Sequence, residues 1–282
     1  MAAGGDLLVV GAGTLGIRLI EEYKATYPNS RIVACTNTTA RHAHLTGLGA
    51  EATLTLPTTP FPSVVFLPTP NAKDFQSLCR QALDVWAGQE EGAFIMASSI
   101  GVFAKNAPEG SKLTESAPVN ASSSNFSRTL LAAEEQVLGR GGTVMRIAGM
   151  YNLRKGRNSF FLKGGDVMRR SDAYINLVGY ADVVSAAIKI TQQPPTKVSG
   201  QVFIICDGHE QTVESVYMKG HECLRFLGEQ PAAVRFTGGR HTEQTRGALM
   251  DNTKTRKVLG WSPRVKSFEE YCSLIQQGTL AP

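Results

Sequence analysis

The feature that most constrains this chain is a glycine-rich turn near its start. The segment Gly11-Ala12-Gly13-Thr14-Leu15-Gly16 follows the apolar run Leu7–Val10 and precedes a stretch with apolar residues at helical spacing. Gly11 permits a tight turn, Gly13 lets the backbone approach a pyrophosphate, and Gly16 lets a helix pack closely on the strand. The turn therefore predicts a dinucleotide site at a helix N-terminus, with Thr14 and Leu15 among its cofactor-binding residues. The alternative is a tight turn with a structural role alone.

Apolar runs and helical patterns alternate along most of the remaining chain. The runs are unbroken rather than alternating, which is typical of parallel strands covered on both faces. The predicted strands are Leu7–Val10, Ile32–Cys35, Val64–Leu67, Phe94–Ala97, Val144–Ile147 and Gln201–Cys206. We therefore predict an α/β fold with a doubly wound parallel sheet. Residues 1–150 and 174–206 are expected to form the nucleotide-binding domain, and residues 151–173 and 207–282 a small cap with the C-terminal elements.

The residues after the second predicted strand bear on the choice of cofactor. An acidic residue about 20 positions after the glycines would hold the ribose 2′-hydroxyl of NAD, whereas basic groups accept the 2′-phosphate of NADP. No Asp or Glu occurs between Glu22 and Glu51, and the strand is followed by Thr36, Asn37 and Arg41. These residues favour NADP over NAD. If Arg41 is instead a solvated helix residue, NAD stays open.

Five segments in order resemble the short-chain dehydrogenase/reductase superfamily, in its extended or atypical branch. They are GAGTLG (11–16), SSIGVF (98–103), RIAGMY (146–151), NLVGYADV (176–183) and NTKTRKVLGWSP (252–263). The resemblance implies a Rossmann domain with a small C-terminal substrate-binding cap. It also implies that Pro68, Ser98, Ala148 and Gly149 lie beside the cofactor, and that Ser99 matches the catalytic serine.

The sequence departs from that superfamily at the pair that transfers the proton. Typical members use Tyr and Lys four residues apart on a helix, where both side chains project into one site. Counting back from Glu134, Phe126 takes the Tyr position and Leu130 the Lys position. Either another group replaces the pair, with Tyr151, Tyr180 and Arg128 as candidates, or the protein binds NADP without turnover. In the second case it serves as a sensor or as a structural subunit of a larger assembly.

Positive charge is concentrated in one segment. The net charge is +5, and residues 154–170 hold six basic residues against the single acid Asp166. In the superfamily this region borders the substrate cleft, so an anionic small-molecule substrate is one reading and a solvated basic loop is the other. Nucleic-acid binding is not predicted, because no recognisable module or run of interleaved aromatic residues accompanies the charge.

Cysteine and histidine spacing excludes two further classes of site. The five cysteines lie far apart without a C-x-x-C pair, so neither a disulfide framework nor a zinc site is predicted, and no metal is assigned. We expect a soluble protein of a reducing compartment without a membrane span, since no apolar run reaches about 18 residues. The first residues show no secretory signal. The expected location is the cytoplasm, or an organellar stroma or matrix after removal of a transit peptide.

Overall fold

The computed structural model describes residues 5–104, 107–153, 156, 164–238 and 245–281, and its framework is a parallel sheet of seven strands. The strand order is β11-β7-β5-β4-β1-β2-β3, and every neighbouring pair is parallel. These strands are β1 (Leu7–Val10), β2 (Ile32–Cys35), β3 (Glu51–Thr53), β4 (Ser63–Phe66), β5 (Phe94–Ser99), β7 (Thr143–Ile147) and β11 (Val202–Ile205). The order reverses at β1, which confirms the predicted α/β fold with a doubly wound sheet.

Helices cover both faces of this sheet. The described α-helices are α1 (Thr14–Thr26), α2 (His42–Gly47), α3 (Phe75–Asp84), α4 (Asn125–Gly139), α5 (Tyr180–Thr191), α6 (Pro195–Val198), α7 (Val213–Phe226), α8 (Thr253–Leu259) and α9 (Phe268–Gln276). One apolar cluster joins the sheet to α1 and α5, and a second joins the other face to α3 and α4. All four residues of β1, β2 and β4 are buried. Burial on both faces explains why these strands are apolar without alternation.

A third apolar cluster is built from residues that follow the main sheet. Its members include Tyr151, Leu177, Cys223 and Phe268, from two short strands and from helices α7 and α9. The short strands form three parallel pairs, β8 (Gly149–Tyr151) with β10 (Leu177–Gly179), β9 (Gly165–Arg170) with β12 (Val234–Gly238), and β6 (Lys112–Leu113) with β13 (Leu249–Met250). The division into two domains at the boundaries given above stays a prediction.

Several predicted elements differ in extent from the observed ones. The apolar pattern of the sequence predicts a helix over 72–86, and the observed helix α3 is shorter, from Phe75 to Asp84. Strand β3 has no counterpart among the predicted strands, since Glu51 is exposed and its neighbours are half-buried. Of the basic segment, Arg154, Lys155, Arg157 and Lys163 lie outside the described residues. None of the described helices has the length and apolar character needed to cross a membrane, and all five cysteines are buried free thiols.

Candidate functional site

The glycine-rich turn joins β1 to α1 with a geometry that glycine alone allows at one position. Gly11 has a φ of +83°, and a Cβ atom there would lie 2.8 Å from the backbone nitrogen of Pro68. At Gly16 an added Cβ would lie 3.2 Å from Val9 Cγ1, which shows how closely α1 packs on the strand. Gly11 and Gly16 are therefore required by the turn and by helix packing.

Gly13 differs from the other two glycines because an added Cβ atom there would make only ordinary van der Waals contacts. The nearest atoms to an added Cβ would be Arg41 Nη1 at 3.8 Å and the carbonyl oxygen of Gly11 at 3.9 Å. Gly13 is also the N-cap of α1, where it offers no side chain to the first-turn amides, and that turn holds no acidic residue. Thr14 and Leu15 start the helix at this point. The positive end of α1 thus faces a cradle that can hold a phosphate group.

A cavity of about 590 Å³ opens at the carboxyl ends of β1, β2 and β4, and we call it the β1–β2 cavity. Its lining includes six residues predicted to contact the cofactor, namely Gly11, Gly13, Thr36, Asn37, Arg41 and Pro68. Among the described lining residues there is no Asp or Glu. Ligands of doubly wound sheets bind at this edge, where the strand order reverses.

The side chain of Thr36 forms hydrogen bonds within its own loop, whereas the side chains of Asn37 and Arg41 are exposed. The hydroxyl of Thr36 donates to the carbonyl of Thr38 at 2.9 Å and lies 2.8 Å from Nε2 of His42. The hydroxyl therefore shapes the loop, and its contact with a cofactor stays a prediction. Asn37 and Arg41 are exposed and have no side-chain partner within the described ranges. These two side chains are the polar groups free to meet a ligand.

A second cavity, of about 440 Å³, lies at the carboxyl ends of β5 and β7, and we call it the Ser99 cavity. It is lined by Ser99, Phe126, Ala148, Gly149, Arg169, Tyr174 and Asn176, among others. The Oγ of Ser99 accepts a hydrogen bond from the Gly101 N–H at 3.0 Å. A Cβ atom added to Gly101 would lie 3.2 Å from Ser99 Oγ and 3.7 Å from Phe126 Cε1. Ser99 and Phe126 therefore flank the same backbone position.

The two tyrosines predicted from the sequence as candidates for proton transfer, Tyr151 and Tyr180, do not line the Ser99 cavity. Tyr151 is 1% exposed, and its ring packs edge-on against Phe268 and Tyr271 at centroid distances of 5.3 and 5.5 Å. Burial raises the pKa of Tyr151 far above its usual value. Tyr151 and Tyr180 line a different cavity. Tyr151 therefore lies outside the Ser99 cavity, and Arg128 does not line that cavity either.

The phenol that does line the Ser99 cavity is Tyr174, which the sequence reasoning missed. The guanidinium of Arg246 lies 4.1 Å from the centroid of its ring. Partial burial raises the pKa of Tyr174 and the positive charge of Arg246 opposes that rise. The phenol is thus protonated at neutral pH and able to donate. Arg169, from the basic segment, lines the same cavity.

Ser98 belongs to a buried polar cluster behind the Ser99 cavity. Its hydroxyl donates a short hydrogen bond to the carboxylate of Glu134, and Nη2 of Arg146 donates to the same carboxylate at 2.8 Å. Both ion-pair side chains are less than a tenth exposed. Arg146 also donates to the carbonyl of Glu115 at 3.2 Å. The cluster ties β5, β7 and α4 together, so the side chain of Ser98 supports the site instead of facing a cofactor.

A buried carboxyl group lies just after β11. Asp207 is 3% exposed and accepts hydrogen bonds from the His209 N–H at 3.0 Å and from Gln211 Nε2 at 3.1 Å. Burial raises the pKa of Asp207 to about 7. The backbone carbonyl of Asp207 accepts from Arg256 Nη2 at 3.0 Å. No group of His, Cys, Asp and Glu suited to a metal ion occurs among the described residues.

Comparison with known proteins identifies the fold. No family model matches the chain, and no curated protein matches it. A conserved protein of unknown function from Silicibacter pomeroyi DSS is similar in structure, with a TM-score of 0.76 and 14% identity over 99% of this chain and 100% of that one. MoeE5 in complex with UDP-glucose and NAD gives a TM-score of 0.72 and 18% identity over 98% and 100%. UDP-glucose 4-epimerase from Thermotoga maritima, with UDP-glucose, has a TM-score of 0.69 and 16% identity over 98% of this chain and 100% of that one.

These likenesses define the class of fold. At such identities they show that the chain has the Rossmann-type α/β architecture over nearly its whole length. The ligands in two of the structures belong to those proteins. What this chain binds has to be argued from its own residues.

Proposed function

We propose that this chain is an atypical, extended short-chain dehydrogenase/reductase that binds NADP(H) and acts as an oxidoreductase or epimerase on an anionic small molecule. The observation that carries the proposal is the β1–β2 cavity. It combines a glycine cradle at the N-terminus of α1 with the free cation Arg41 and with a described lining that has no carboxylate.

The lining fits a nicotinamide dinucleotide that carries a 2′-phosphate. The backbone at Gly13, which carries no side chain, and the first amides of α1 would hold the pyrophosphate. Asn37 and Arg41 would hold the 2′-phosphate, because both side chains are polar and unengaged among the described residues. Pro68, Ala148 and Gly149 would border the dinucleotide, since Pro68 lines the β1–β2 cavity and the other two line the Ser99 cavity at the same carboxyl edge of the sheet. When bound, the nicotinamide supplies or accepts a hydride.

The substrate class is inferred from charge and from the structural neighbours. Arg169 brings a guanidinium to the Ser99 cavity, which suits a phosphate or carboxylate on the substrate. Two structures of similar fold hold UDP-glucose, so an anionic sugar nucleotide is the first substrate to test.

The residues of the Ser99 cavity define what acid–base chemistry this chain can perform. The Ser99 hydroxyl has no acceptor for its own proton among the described residues, so it is free to donate to a substrate oxygen. Phe126 holds the position that the superfamily gives to Tyr, and Leu130 is buried in the apolar cluster of α3 and α4. Neither can transfer a proton. Tyr174 is the protonated phenol of the cavity and the candidate for that step.

A second function is favoured by Phe126 and Leu130. With the usual pair absent, the protein would bind NADP without turnover and act as a sensor or as a subunit of a larger assembly. Steady-state oxidation of NADPH over a panel of carbonyl compounds and UDP-sugars separates the two functions. Turnover that is lost in Tyr174→Phe and reduced in Ser99→Ala supports the enzyme, and tight binding with no turnover across the panel supports the alternative.

The preference for NADP is tested through Arg41. Arg41→Ala is expected to weaken NADP⁺ binding by about 10- to 100-fold, because a charged hydrogen bond contributes about 1.5–3 kcal/mol. NAD⁺ affinity should change by less than about threefold. Arg225→Ala is the control, since Arg225 is an exposed cation of α7 that does not line the cavity. Equal losses for both dinucleotides, or equal effects of both variants, would contradict the assignment.

A further inference from the structure

His42 contacts the polar loop that follows β2. Its Nε2 atom lies 2.8 Å from Oγ of Thr36, and Thr36 lines the β1–β2 cavity together with Asn37 and Arg41. His42 is half-buried, begins α2 and directly follows Arg41 in the chain. It is not among the described residues that line the cavity. His42 can therefore act on a bound cofactor only through this loop and through its charge.

The hydrogen bonds of Thr36 determine which ring nitrogen of His42 carries the proton of the neutral imidazole. A hydroxyl has one proton to donate, and a carbonyl oxygen can only accept. The Thr36 hydroxyl lies 2.9 Å from the carbonyl oxygen of Thr38 and 3.5 Å from that of Thr53. Its proton is therefore directed to a carbonyl, and the contact with His42 is a hydrogen bond that Nε2–H donates. The neutral ring is the Nε2–H tautomer, with Nδ1 unprotonated.

This tautomer lets His42 gain a positive charge without releasing the loop. A second proton binds to Nδ1, which has no hydrogen-bond partner among the described residues. Nε2 keeps its hydrogen atom, and with it the bond to Thr36, in both charge states. In the opposite tautomer Nε2 would be the acceptor, and protonation would break that bond. The neutral ring and the cation therefore hold the loop equally.

The elements packed against α2 bring no unpaired acid to His42. Helix α2 packs on β3, and the one acid of that strand, Glu51, accepts two hydrogen bonds of 2.8 Å from Arg31. From α1 the charged group that approaches the far end of α2 is a cation, Lys24. A proton on His42 is thus not neutralised by a carboxylate of either element.

The segment of His42 itself is basic as well. Arg41 precedes it, and His44 is two residues further along α2. The described lining of the β1–β2 cavity holds no Asp or Glu, and no ion pair involves His42 within the described ranges. Protonation of His42 therefore adds net positive charge next to Arg41.

From these contacts we infer that His42 is a positioning residue of the cofactor site, which holds the loop after β2 through Thr36 and strengthens the preference for a 2′-phosphate as the pH falls. The inference rests on the proposed binding of NADP(H), with the phosphate at Asn37 and Arg41. Histidine changes its charge between about pH 5 and 8. Two charges a few ångströms apart in water attract enough to change an affinity about threefold to tenfold. NAD cannot use this attraction, because it carries no phosphate at that position.

The test compares the binding of NADP⁺ and NAD⁺ to the full chain by titration calorimetry between about pH 5.5 and 8.5. His42→Gln keeps an N–H donor in the place of Nε2 but cannot take up a proton. It should bind NADP⁺ within about twofold of the wild type at about pH 8.5, and about three- to tenfold more weakly at about pH 6. NAD⁺ affinity should be equal for the two chains at each pH. The phosphate of free NADP⁺ titrates near pH 6 but identically for every variant, so the comparison between variants reports on His42.

Two further variants separate the charge from the hydrogen bond. His44→Gln is the matched control, because His44 is exposed on the same helix and forms no side-chain hydrogen bond with the loop within the described ranges; it should follow the wild type at every pH. His42→Ala removes the donor together with the charge. It should weaken NADP⁺ binding over the whole pH range, a loss that His42→Gln does not show at about pH 8.5.

Nitrogen-15 spectra of the histidine-labelled chain at about pH 8.5 should show the Nε2–H tautomer for His42, assigned by its absence in His42→Gln. An Nδ1–H tautomer would overturn the inference. So would a His42→Gln variant that follows the wild type at low pH, an equal effect of His44→Gln, or an equal shift in NAD⁺ affinity. Each of these results leaves the proposed cofactor standing as long as the wild type binds NADP⁺ more tightly than NAD⁺. A wild-type chain that binds no NADP⁺ would contradict both.

Discussion

Gly13→Ala separates binding from folding more cleanly than any other change in the glycine-rich turn. The backbone of Gly13 is extended, with φ −80° and ψ −152°, and its added Cβ would make contacts no closer than 3.8 Å. Alanine at an N-cap is less favourable than glycine, and we expect a loss of about 1 kcal/mol or less in the free energy of unfolding. The methyl group nevertheless occupies the cradle in front of the α1 amides. Losing one charged hydrogen bond to a phosphate costs about 1.5–3 kcal/mol.

The expected result is a 10- to 100-fold weaker affinity for NADPH, measured by fluorescence titration, with a urea unfolding midpoint close to that of the wild type. Gly13→Val should remove binding altogether. Gly47→Ala is the matched control, because Gly47 lies in α2 with no atom within 4 Å of an added Cβ. If Gly13→Ala binds NADPH as tightly as the wild type, the cradle does not hold the pyrophosphate and the reasoning fails.

Three further predictions concern the free energy of unfolding. Glu134→Gln should lower the free energy of unfolding in urea by about 3–5 kcal/mol, because it leaves the buried guanidinium of Arg146 unpaired. Glu51→Gln, in an exposed ion pair, should lower it by less than about 1 kcal/mol. Equal losses in the two variants would contradict this prediction. Asp207 has a pKa of about 7 in the folded chain, so the folded chain binds its proton more tightly than the unfolded chain does. The free energy of unfolding should therefore fall as pH rises from about 4 through 7, by at most about 4 kcal/mol. Asp207→Asn should remove that fall, and an unchanged pH profile would refute it. Phe126→Tyr should leave the free energy of unfolding nearly unchanged, because Phe126 is 38% exposed. Leu130→Lys should lower it by several kcal/mol, because Leu130 is 2% exposed and the variant would bury a charge. A Leu130→Lys variant as stable as the wild type would contradict this prediction.

Most strands of the sheet were predictable because each of them is an apolar run in the sequence. Parallel strands buried on both faces are mostly apolar, so β1, β2, β4, β5, β7 and β11 stand out as runs in the sequence. Strand β3 does not form an apolar run, because it lies at the edge of the sheet and its residues Glu51 and Thr53 are polar. Its pairing with β2 is visible only in the structure.

The candidate site was predictable where a local motif marks its residues, as at the glycine-rich turn, Ser99, Ala148 and Gly149. The glycine turn and Arg41 meet within 30 residues, and the structure places them at one cavity. Tyr151 was chosen from its position in a local motif, but helix α9, more than 100 residues later, buries its ring through Phe268. Tyr174 gains its setting from Arg246, again far along the chain, so no local pattern marks it.

The central claim is that the β1–β2 cavity selects a dinucleotide with a 2′-phosphate. Its most direct test is the ratio of the dissociation constants of the wild-type chain for NADPH and NADH, measured by titration calorimetry in one buffer. Asn37 and Arg41, with no carboxylate among the described lining residues, predict that NADPH binds at least tenfold more tightly. Equal affinities, or tighter binding of NADH, would contradict the claim.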